Sequence, residues 1–252
     1  YEMSASLVGS EMCIRDSSNI EGAEVLYVYF SETYEQLVQE PTDAGTYYIA
    51  AYVAATDNYT ESWLTADGDR VYVPFTIGKA SYGELAFDLN GWQLQEDGSY
   101  GLVYDGDAHG PEIASLPTGL DGIALQVRYE GAATDVADGI VTRTAVFTTE
   151  SKNYDLPESL TVKIQILPYE TEVVWEQTEF GYTGQAQTVT AYYLNVDGER
   201  RTVEVTIRED RIFCDAADDY TATAVGSDTN YSLTNTQTPL VIAPLAVTVT
   251  IG

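Results

Sequence analysis

His109 is the single histidine of this 252-residue chain, so any acid–base or nucleophilic scheme that needs an imidazole must use it. It lies in YDGDAHGP, and a later segment, YTGQAQT, repeats the same Tyr-x-Gly turn. Counted from the two turns, Gln187 is the counterpart of His109. The repeat is an internal control, and it favours a polar turn position for His109 over a catalytic role. The sequence also contains no HExxH motif and no Cys/His spacing typical of zinc sites.

Acidic residues are abundant, with 40 Asp and Glu in the chain, so two carboxyls that lie close in sequence indicate little. A glycosidase would hold two carboxyls about 5 to 9.5 Å apart in a cleft, and small, regular β modules leave little room for one. Calcium prefers oxygen ligands, which the turns 67–69, 105–107 and 215–219 offer. None of them follows the spacing of a calcium-binding loop, and Asp and Gly are also common turn formers. We therefore predict no catalytic residues, no metal ligands and no cofactor.

The aromatic residues could bind carbohydrate, because a sugar ring stacks on an exposed Tyr or Trp. A repeated binding platform would repeat its tryptophan, whereas Trp63, Trp92 and Trp175 lie in three different sequence contexts. We expect Trp175 to pack in a core. The segment ESWLTADGDR, residues 61–70, has no counterpart in the other repeats. It is the best candidate for a ligand contact, since loops on a rigid scaffold commonly carry binding.

The first 17 residues need separate treatment. A secretory signal begins with positive charge followed by an apolar run, whereas here Glu2 and Glu11 flank a short apolar patch. The run LVGSEMCIRDS, residues 7–17, resembles the in-frame translation of a transposon-end adapter used in sequencing libraries. We therefore expect 1–17 to be an assembly artefact and exclude it from reasoning about the fold. The alternative is a disordered native N-terminus.

The two cysteines offer little for redox or nucleophilic chemistry. Cys13 lies in the adapter-like run, which leaves Cys214 without a partner for a disulfide. Cys214 follows Ile212 and Phe213, and a free cysteine in such surroundings is commonly a small buried hydrophobe. A nucleophilic thiol needs basic neighbours, whereas the residues after Cys214 are acidic.

The formal net charge of −29 comes from 40 acidic and 11 basic residues. Nucleic acids and anionic membranes are disfavoured as partners, because binding them requires Lys and Arg to neutralise phosphates. A hydrophobic content of 44% and 20 tyrosines make the chain too apolar and too β-prone for a disordered acidic tail. No run of about 18 apolar residues exists, so we expect no membrane insertion.

The rest of the chain repeats one phrase three times: a turn, an alternating strand, a loop, an Asn-Tyr pair and a closing strand that ends in isoleucine. In the later two repeats the Tyr-x-Gly turn precedes the pair at almost equal spacing, from 104 to 153 and from 182 to 230. The three pairs are Asn58-Tyr59, Asn153-Tyr154 and Asn230-Tyr231. We predict a truncated module over 18–80, complete modules over 81–168 and 169–244, and the first strand of a further module over 245–252.

Inside the repeats the apolar residues recur with a period of two, as at Val162, Ile164 and Ile166, which is typical of strands with one buried face. The clearest hairpin is TVTAYYLNVDGERRTVEVTI, in which Asp197-Gly198 supplies a tight turn. The one helix-like stretch, 33–40, is halted by a proline and fits a strand equally well. We predict an all-β sandwich in each module.

Consecutive modules are joined by one to four residues, as in IQILPYETEVVW. Short joints that contain proline are stiff. We therefore expect an elongated, monomeric row of modules.

These residues carry a family resemblance. The Tyr-x-Gly turn followed by proline in YDGDAHGP, the DAGTY phrase at 43–47, the Asn-Tyr pair and the closing strand are similar to the tandem immunoglobulin-like repeats called MBG or YDG-type domains. Those repeats occur in large surface and secreted proteins of bacteria. The likeness covers about residue 24 to the end, with departures at 136–141 and 215–220. It implies tandem Ig-like modules in an extracellular or cell-surface protein, with a spacer or adhesive role and no catalytic residues.

Two alternatives remain open. A glycan-binding or host-binding module would expose a cluster of Tyr and Trp on one face or loop, larger than ordinary surfaces show. An accessory segment of a larger extracellular hydrolase would be recognised from the flanking sequence.

Overall fold

The computed structural model describes residues 24–207 and 215–250, and within them the chain is almost entirely strand and loop. A short 3-10 turn, Val136–Asp138, is the one helical element of those ranges. The all-β class is therefore confirmed, and the several sheets are consistent with β-sandwiches. The described part contains no helix that is long and apolar enough to cross a membrane.

The described residues form two compact units. One unit contains 24–84, 116–126 and 147–158. The other contains 85–115, 127–146 and the described residues from 159 onward. The three predicted repeats are the first, 18–80, the second, 81–168, and the third, 169–244. Their boundaries as domains stay a prediction.

The first repeat centres on the long strand β2. Its sheet has β1 along one edge of β2, and β3 and β6 along the other. Two further strands, β4 and β5, form a hairpin of their own. Within 24–80 the strands are β1 (Val25–Phe30), β2 (Gly45–Val53), β3 (Ser62–Trp63), β4 (Thr65–Ala66), β5 (Asp69–Arg70) and β6 (Val73–Ile77).

The helix-like stretch at 33–40 forms neither a helix nor a strand. It consists of turns and a single bridge between Phe30 and Gln36. Tyr34 has a φ of 62°, which a right-handed helix cannot contain.

The second repeat forms a five-stranded sheet in the order β7-β8-β11-β10-β9, in which β8 and β11 run parallel. The alternation predicted along β11 is confirmed, because Ile164 and Ile166 are buried while Thr161 and Lys163 are exposed. Trp92 packs against the cluster that these isoleucines form. The strands are β7 (Gln93–Leu94), β8 (Tyr100–Val103), β9 (Gln126–Glu130), β10 (Val141–Thr148) and β11 (Leu160–Leu167).

The described residues of the third repeat, 169–207 and 215–244, form nine strands. They are β12 (Tyr169–Glu172), β13 (Val174–Trp175), β14 (Glu179–Gly181), β15 (Ala191–Leu194), β16 (Arg200–Thr202), β17 (Glu204–Ile207), β18 (Ala217–Val225), β19 (Tyr231–Thr234) and β20 (Gln237–Ala243). They form one sheet in the order β14-β20-β18-β17, another in the order β13-β15-β16, and the parallel pair β12-β19.

Two sequence predictions in this repeat are confirmed. The hairpin at Asp197-Gly198 pairs β15 with β16, and Gly198 has a φ of 77°, which glycine adopts without a Cβ clash. Trp175 packs against two hydrophobic clusters, one around Leu240 and the other around Val173.

The described residues after β20 are assigned to no strand. Their apolar side chains alternate and are exposed, with 69% of Leu245, 81% of Val247 and 83% of Val249 accessible to solvent. The predicted first strand of a further module stays a prediction.

Candidate functional site

His109 lies in the loop between β8 and β9, where its Nε2 is 2.7 Å from Oδ1 of Asp105. Its backbone N–H and C=O both bond to Ala133, each at 2.9 Å. The pKa of Asp105 is lowered, first because its carboxylate accepts the N–H of Asp107 and then because of His109. The imidazole therefore belongs to a hydrogen-bonded turn, as the comparison with Gln187 suggests.

The other candidate residues are the possible metal ligands and the two cysteines. Within 24–207 and 215–250, no group of three or more His, Cys, Asp or Glu side chains could hold a metal ion. Cys13, Cys214 and the adapter-like run 7–17 lie outside the described residues.

Trp63, in the predicted ligand-contact segment, has both ring faces covered by side chains of its own unit. It stacks on Tyr52 with ring centroids 4.8 Å apart, and the guanidinium carbon of Arg70 lies 3.5 Å from its ring centroid. Two groups at such distances would collide on a single face, so they must lie on opposite faces. The indole N–H donates to Oε1 of Glu61 at 2.5 Å. A sugar could stack on Trp63 only after a covering side chain had moved.

The Asn-Tyr pairs, which mark the repeats in the sequence, build a recurring set of contacts that we call the Asn-Tyr clamp. Each clamp joins an Asn-Tyr pair of one repeat to two parts of the preceding repeat. The first part is an Asp turn that precedes a strand of the preceding repeat. The second part is the residue three positions after the closing isoleucine of the preceding repeat. The first clamp is formed by Asp43, Ala44, Ala80, Asn153 and Tyr154, and the second by Asp135, Val136, Tyr169, Asn230 and Tyr231.

The first clamp lies within one compact unit and is centred on Asn153. The side-chain Nδ2 of Asn153 donates to Oδ1 of Asp43 at 3.0 Å, and its Oδ1 accepts the N–H of Ala44 at 2.7 Å. The backbone carbonyl of Asn153 accepts the N–H of Ala80 at 2.8 Å. One asparagine thus ties the turn before β2 to the chain just after β6.

The second clamp repeats the same three bonds with the same atoms, in the other unit. Nδ2 of Asn230 donates to Oδ1 of Asp135 at 2.8 Å, and Oδ1 accepts the N–H of Val136 at 2.9 Å. The carbonyl of Asn230 accepts the N–H of Tyr169 at 2.9 Å. The recurrence of all three bonds identifies the clamp as a built feature of the repeat.

The tyrosine of each pair anchors the asparagine by bonding to a hairpin in its own repeat. The hydroxyl of Tyr154 accepts the N–H of Leu120 at 2.9 Å, and that of Tyr231 accepts the N–H of Val196 at 3.4 Å. Both donors immediately precede an Asp-Gly turn. The Tyr154 ring also stacks on Tyr82, with centroids 4.5 Å apart.

The backbone N–H of each clamp asparagine donates to the side chain two residues earlier in the sequence. Oγ of Ser151 accepts the N–H of Asn153, and Oδ1 of Asp228 accepts the N–H of Asn230, both at 3.0 Å. The Ser151 hydroxyl in turn donates to Asp121, and this bond is the largest cause of the lowered pKa of that carboxyl. These local bonds orient each asparagine independently of its contacts with the Asp turn.

The chemistry of the clamp is that of binding. An asparagine amide offers a donor and an acceptor side by side, does not titrate and cannot act as a nucleophile. It suits a turn that presents a carboxylate and a backbone N–H together. In the sequence the Asn-Tyr pairs mark the repeats, and their binding role is visible only in the structure. The Asp-Ala dipeptide recurs 15 positions before Asn58 and before Asn230, but Asp135 of the second clamp is followed by valine, so this spacing does not identify the clamp partners.

A polar cleft of about 600 Å³ adjoins the second clamp. The pKa values of Tyr104 and Tyr193 are raised, and burial is the largest cause in each case. The negative charge of nearby Asp228 raises both pKa values further. These phenols are therefore neutral at physiological pH and available as hydrogen-bonding groups. The cleft lining includes Tyr104, Tyr193, Tyr231, Asp105, Asp197 and Arg201.

The fold and these sites define a nearly all-β protein with several sheets, whose most specific feature is a repeated binding clamp. No family model matches the sequence, and no curated protein matches it. Membership of the MBG or YDG-type repeats, and the role that it implies, are therefore proposals.

Proposed function

We propose that this chain is a non-catalytic spacer segment of a bacterial secreted or cell-surface protein, built from tandem Ig-like modules of the MBG or YDG type. The Asn-Tyr clamp is the observation that carries the proposal. It joins the first repeat to the second and the second to the third with the same atoms each time. A spacer needs joints that resist bending, and a catalytic or signalling segment has no need to repeat one joint.

The hydrogen bonds of a clamp are strong enough to matter. A neutral hydrogen bond contributes about 0.5–1.5 kcal/mol net, and one to a charged group about 1.5–3 kcal/mol. With two neutral bonds and one to an aspartate, a clamp resists opening by a few kcal/mol. The bond to Asp135 is partly buried, whereas the bond to Asp43 is exposed, so the second clamp is the stronger.

The chain that links one repeat to the next also forms backbone pairs at each clamp. In the second clamp, Tyr169–Glu172 pairs in parallel with Tyr231–Thr234. In the first clamp, Ala80 forms a parallel bridge with Tyr154. A linker whose backbone pairs with a segment of the next repeat cannot swivel as a free hinge, and this supports a stiff joint.

Small-angle scattering of the full chain tests the mechanical part of the proposal. We expect one well-defined extended particle for the unmodified chain. The double variant Asn153→Ala, Asn230→Ala should give a broader distribution of dimensions. Asn90→Ala is the matched control, because Asn90 is exposed and lies outside both clamps. Equal flexibility of the clamp variant and the control would refute the spacer proposal. Antibody labelling of intact bacteria that carry the gene tests the surface location.

The glycan-binding alternative has less support, because Trp63 is covered on both faces. A glycan array probed with the unmodified chain tests it, with Trp63→Ala as the comparison. Binding that Trp63→Ala removes would favour a glycan-binding module over a spacer.

A further inference from the structure

The polar cleft beside the second clamp contains a hydroxyl group that has no protein partner. Tyr193 lines the cleft, and only 7% of the residue is accessible to solvent. Among the described residues, none forms a hydrogen bond with the Tyr193 hydroxyl. In the same part of the chain, no fully buried side-chain oxygen lacks a partner, so this hydroxyl reaches the open space of the cleft. Because a hydroxyl in a buried side chain costs free energy unless it is hydrogen-bonded, the group that pairs with it has to come from within the cleft.

Two neighbouring tyrosines hold the Tyr193 phenol in place. The centroid of the Tyr231 ring lies 4.9 Å from that of Tyr193 and 5.6 Å from that of Tyr104. Tyr231 is itself fixed in the second clamp, where its hydroxyl accepts the N–H of Val196. Tyr231 and Tyr104 both contribute to the raised pKa of Tyr193, so the three phenol groups lie near one another. The phenols that line the cleft are therefore positioned by the clamp itself.

The cleft also carries an excess of negative charge. Its described lining has four aspartates against one arginine, and the guanidinium of that residue, Arg201, pairs with Glu199 at 3.1 Å. A cleft lined by one sign of charge concentrates counter-ions of the other sign. The lining therefore favours a cation as ligand. The four aspartates are Asp105, Asp107, Asp197 and Asp228.

The size of the cleft and the spacing of its carboxylates do not suit a compact metal ion. No three acidic side chains of the described residues are close enough together to hold a metal. A calcium ion needs about 6–8 oxygen ligands that converge on one point. The volume of about 600 Å³ is instead that of a small-molecule pocket, which is typically about 300–1,000 Å³. Separated carboxylates in a cleft of this size match a cation whose positive charges are also separated.

The first clamp provides an internal control for the residues of the cleft. Four positions before the aspartate of the Asp-Gly turn, the third repeat has Tyr193 and the second has Pro117. Two positions before the clamp asparagine, the third repeat has Asp228 and the second has Ser151. The serine supports its asparagine at the same 3.0 Å distance as the aspartate does. The joint therefore requires neither this phenol nor this negative charge, which leaves both available for a ligand.

We propose that the cleft beside the second clamp binds a small organic polycation, a flexible molecule with two or more ammonium groups several ångströms apart. One ammonium group donates to the Tyr193 hydroxyl and to Asp228, and another donates to the carboxylate of Asp107. An ammonium group has three N–H donors and no acceptor, which matches a lining of hydroxyl and carboxylate oxygens. Tyr193 and Asp228 belong to the third repeat and Asp107 to the second, so the bound cation also ties these repeats together. The inference goes beyond the spacer role, because the clamp forms without a ligand.

The test is a titration of the full chain with spermidine, followed by calorimetry and by amide NMR at about 150 mM salt, where long-range attraction is screened. Screening matters because a formal charge of −29 attracts any cation to the whole surface. We expect saturable one-to-one binding, with amide shifts centred on Asp107, Tyr193 and Asp228. Shifts spread over the acidic surface, or no binding, would overturn the proposal.

Two further probes separate the proposed ligand chemistry from its rivals. Magnesium chloride supplies a compact dication, and cellobiose supplies hydroxyl groups without charge. Neither should give saturable shifts in the cleft. Magnesium that binds there as tightly as spermidine would show that charge alone is recognised and would overturn the proposal. Cellobiose that binds there in place of spermidine would show a sugar site and would also overturn it.

Two pairs of variants identify the contact. Tyr193→Phe removes the hydroxyl without changing the charge and should weaken spermidine binding at least about tenfold. Tyr59→Phe is its control, because Tyr59 is exposed and lies in the other compact unit. Equal affinity of these two variants for spermidine would refute the role of Tyr193.

The second pair tests the carboxylate. Asp107→Asn removes one negative charge from the cleft and should weaken spermidine binding severalfold. Asp107 is exposed, and none of the described residues bonds to its carboxylate, so the variant should fold normally. Asp57→Asn makes the same charge change at an exposed site in the other unit and should leave the affinity unchanged. Equal weakening by Asp107→Asn and Asp57→Asn would mean that spermidine responds to net charge, and the proposed site would be wrong.

Discussion

Nδ2 of Asn153 lies 3.0 Å from Oδ1 of Asp43, although 110 positions of sequence separate the two residues. The same bond joins Asn230 to Asp135 at 2.8 Å across 95 positions. In both cases the asparagine also accepts the next backbone N–H after the aspartate, so the contact is a two-point recognition of one turn. A repeated two-point contact makes specific predictions about stability.

Replacing a clamp asparagine should destabilise the chain in proportion to the burial of its bonds. We expect Asn230→Ala to lower the free energy of unfolding by about 2–3 kcal/mol and Asn153→Ala by about 1–2 kcal/mol. The difference arises because the hydrogen bond from the Asn230 side chain to Asp135 is partly buried, while that from the Asn153 side chain to Asp43 is exposed. Urea unfolding measures both, with Asn90→Ala as the control. Equal losses for all three variants would contradict a specific role for the clamps.

Ser151→Ala should raise the lowered pKa of Asp121 towards its ordinary value of 3.8, because the Ser151 hydroxyl is the largest cause of the shift. A carboxyl whose folded pKa is lowered stabilises the fold fully above its unfolded pKa. That stability is lost as the pH falls below 3.8 and through the lowered value. The variant should therefore show a weaker acid dependence of unfolding below pH 3.8.

Carboxyl NMR titration of Asp121 measures this shift directly. Asp138 serves as an internal reference, because its pKa is lowered by the backbone N–H groups of Asp135 and Thr134. Asp138 should titrate identically in both proteins. An unchanged Asp121 titration in Ser151→Ala would show that the hydroxyl does not cause the shift.

Gly131→Ala should be far more damaging than Gly98→Ala, although both glycines have positive φ, 76° and 80°. At Gly98 an added Cβ meets open space, whereas at Gly131 it would run into the carbonyl oxygen of Thr142. Backbone strain alone costs about 1–3 kcal/mol and is common to both variants. Thermal unfolding should give a clearly lower midpoint for Gly131→Ala, and equal midpoints would contradict the close approach of 131 to β10.

Arg70→Ala should uncover one face of Trp63 and destabilise the first repeat by about 0.5–1 kcal/mol, the contribution of an exposed cation–π contact. The indole N–H resonance of Trp63 should shift, and acrylamide should quench its fluorescence more efficiently. Arg128→Ala is the control, because Arg128 pairs with Glu130 far along the sequence from Trp63. A Trp63 signal that is the same in both variants would mean that Arg70 does not cover the ring.

The all-β class, the alternation along β11 and the Asp197-Gly198 hairpin can all be predicted from local pattern. Successive side chains of a strand point to opposite faces, so a period of two marks which residues are buried before any pairing is known. A tight turn is equally local, because positive φ at Gly198 depends on glycine itself. The failure of 33–40 to form a helix or a strand was beyond such patterns, since it depends on the turn at Tyr34.

Residue order along the chain therefore specifies strands and turns, because each of these follows from neighbours a few positions apart. Comparison of distant segments of the sequence adds the prediction of three repeats. The partners of Asn153 and Asn230, and the covering of Trp63 by Tyr52 and Arg70, depend on how the strands pair and where the turns come to lie. A hydrogen bond or a ring stack needs a separation of a few ångströms and a suitable orientation. Such conditions arise when the folded backbone brings remote segments together, and no local pattern of residue types encodes them.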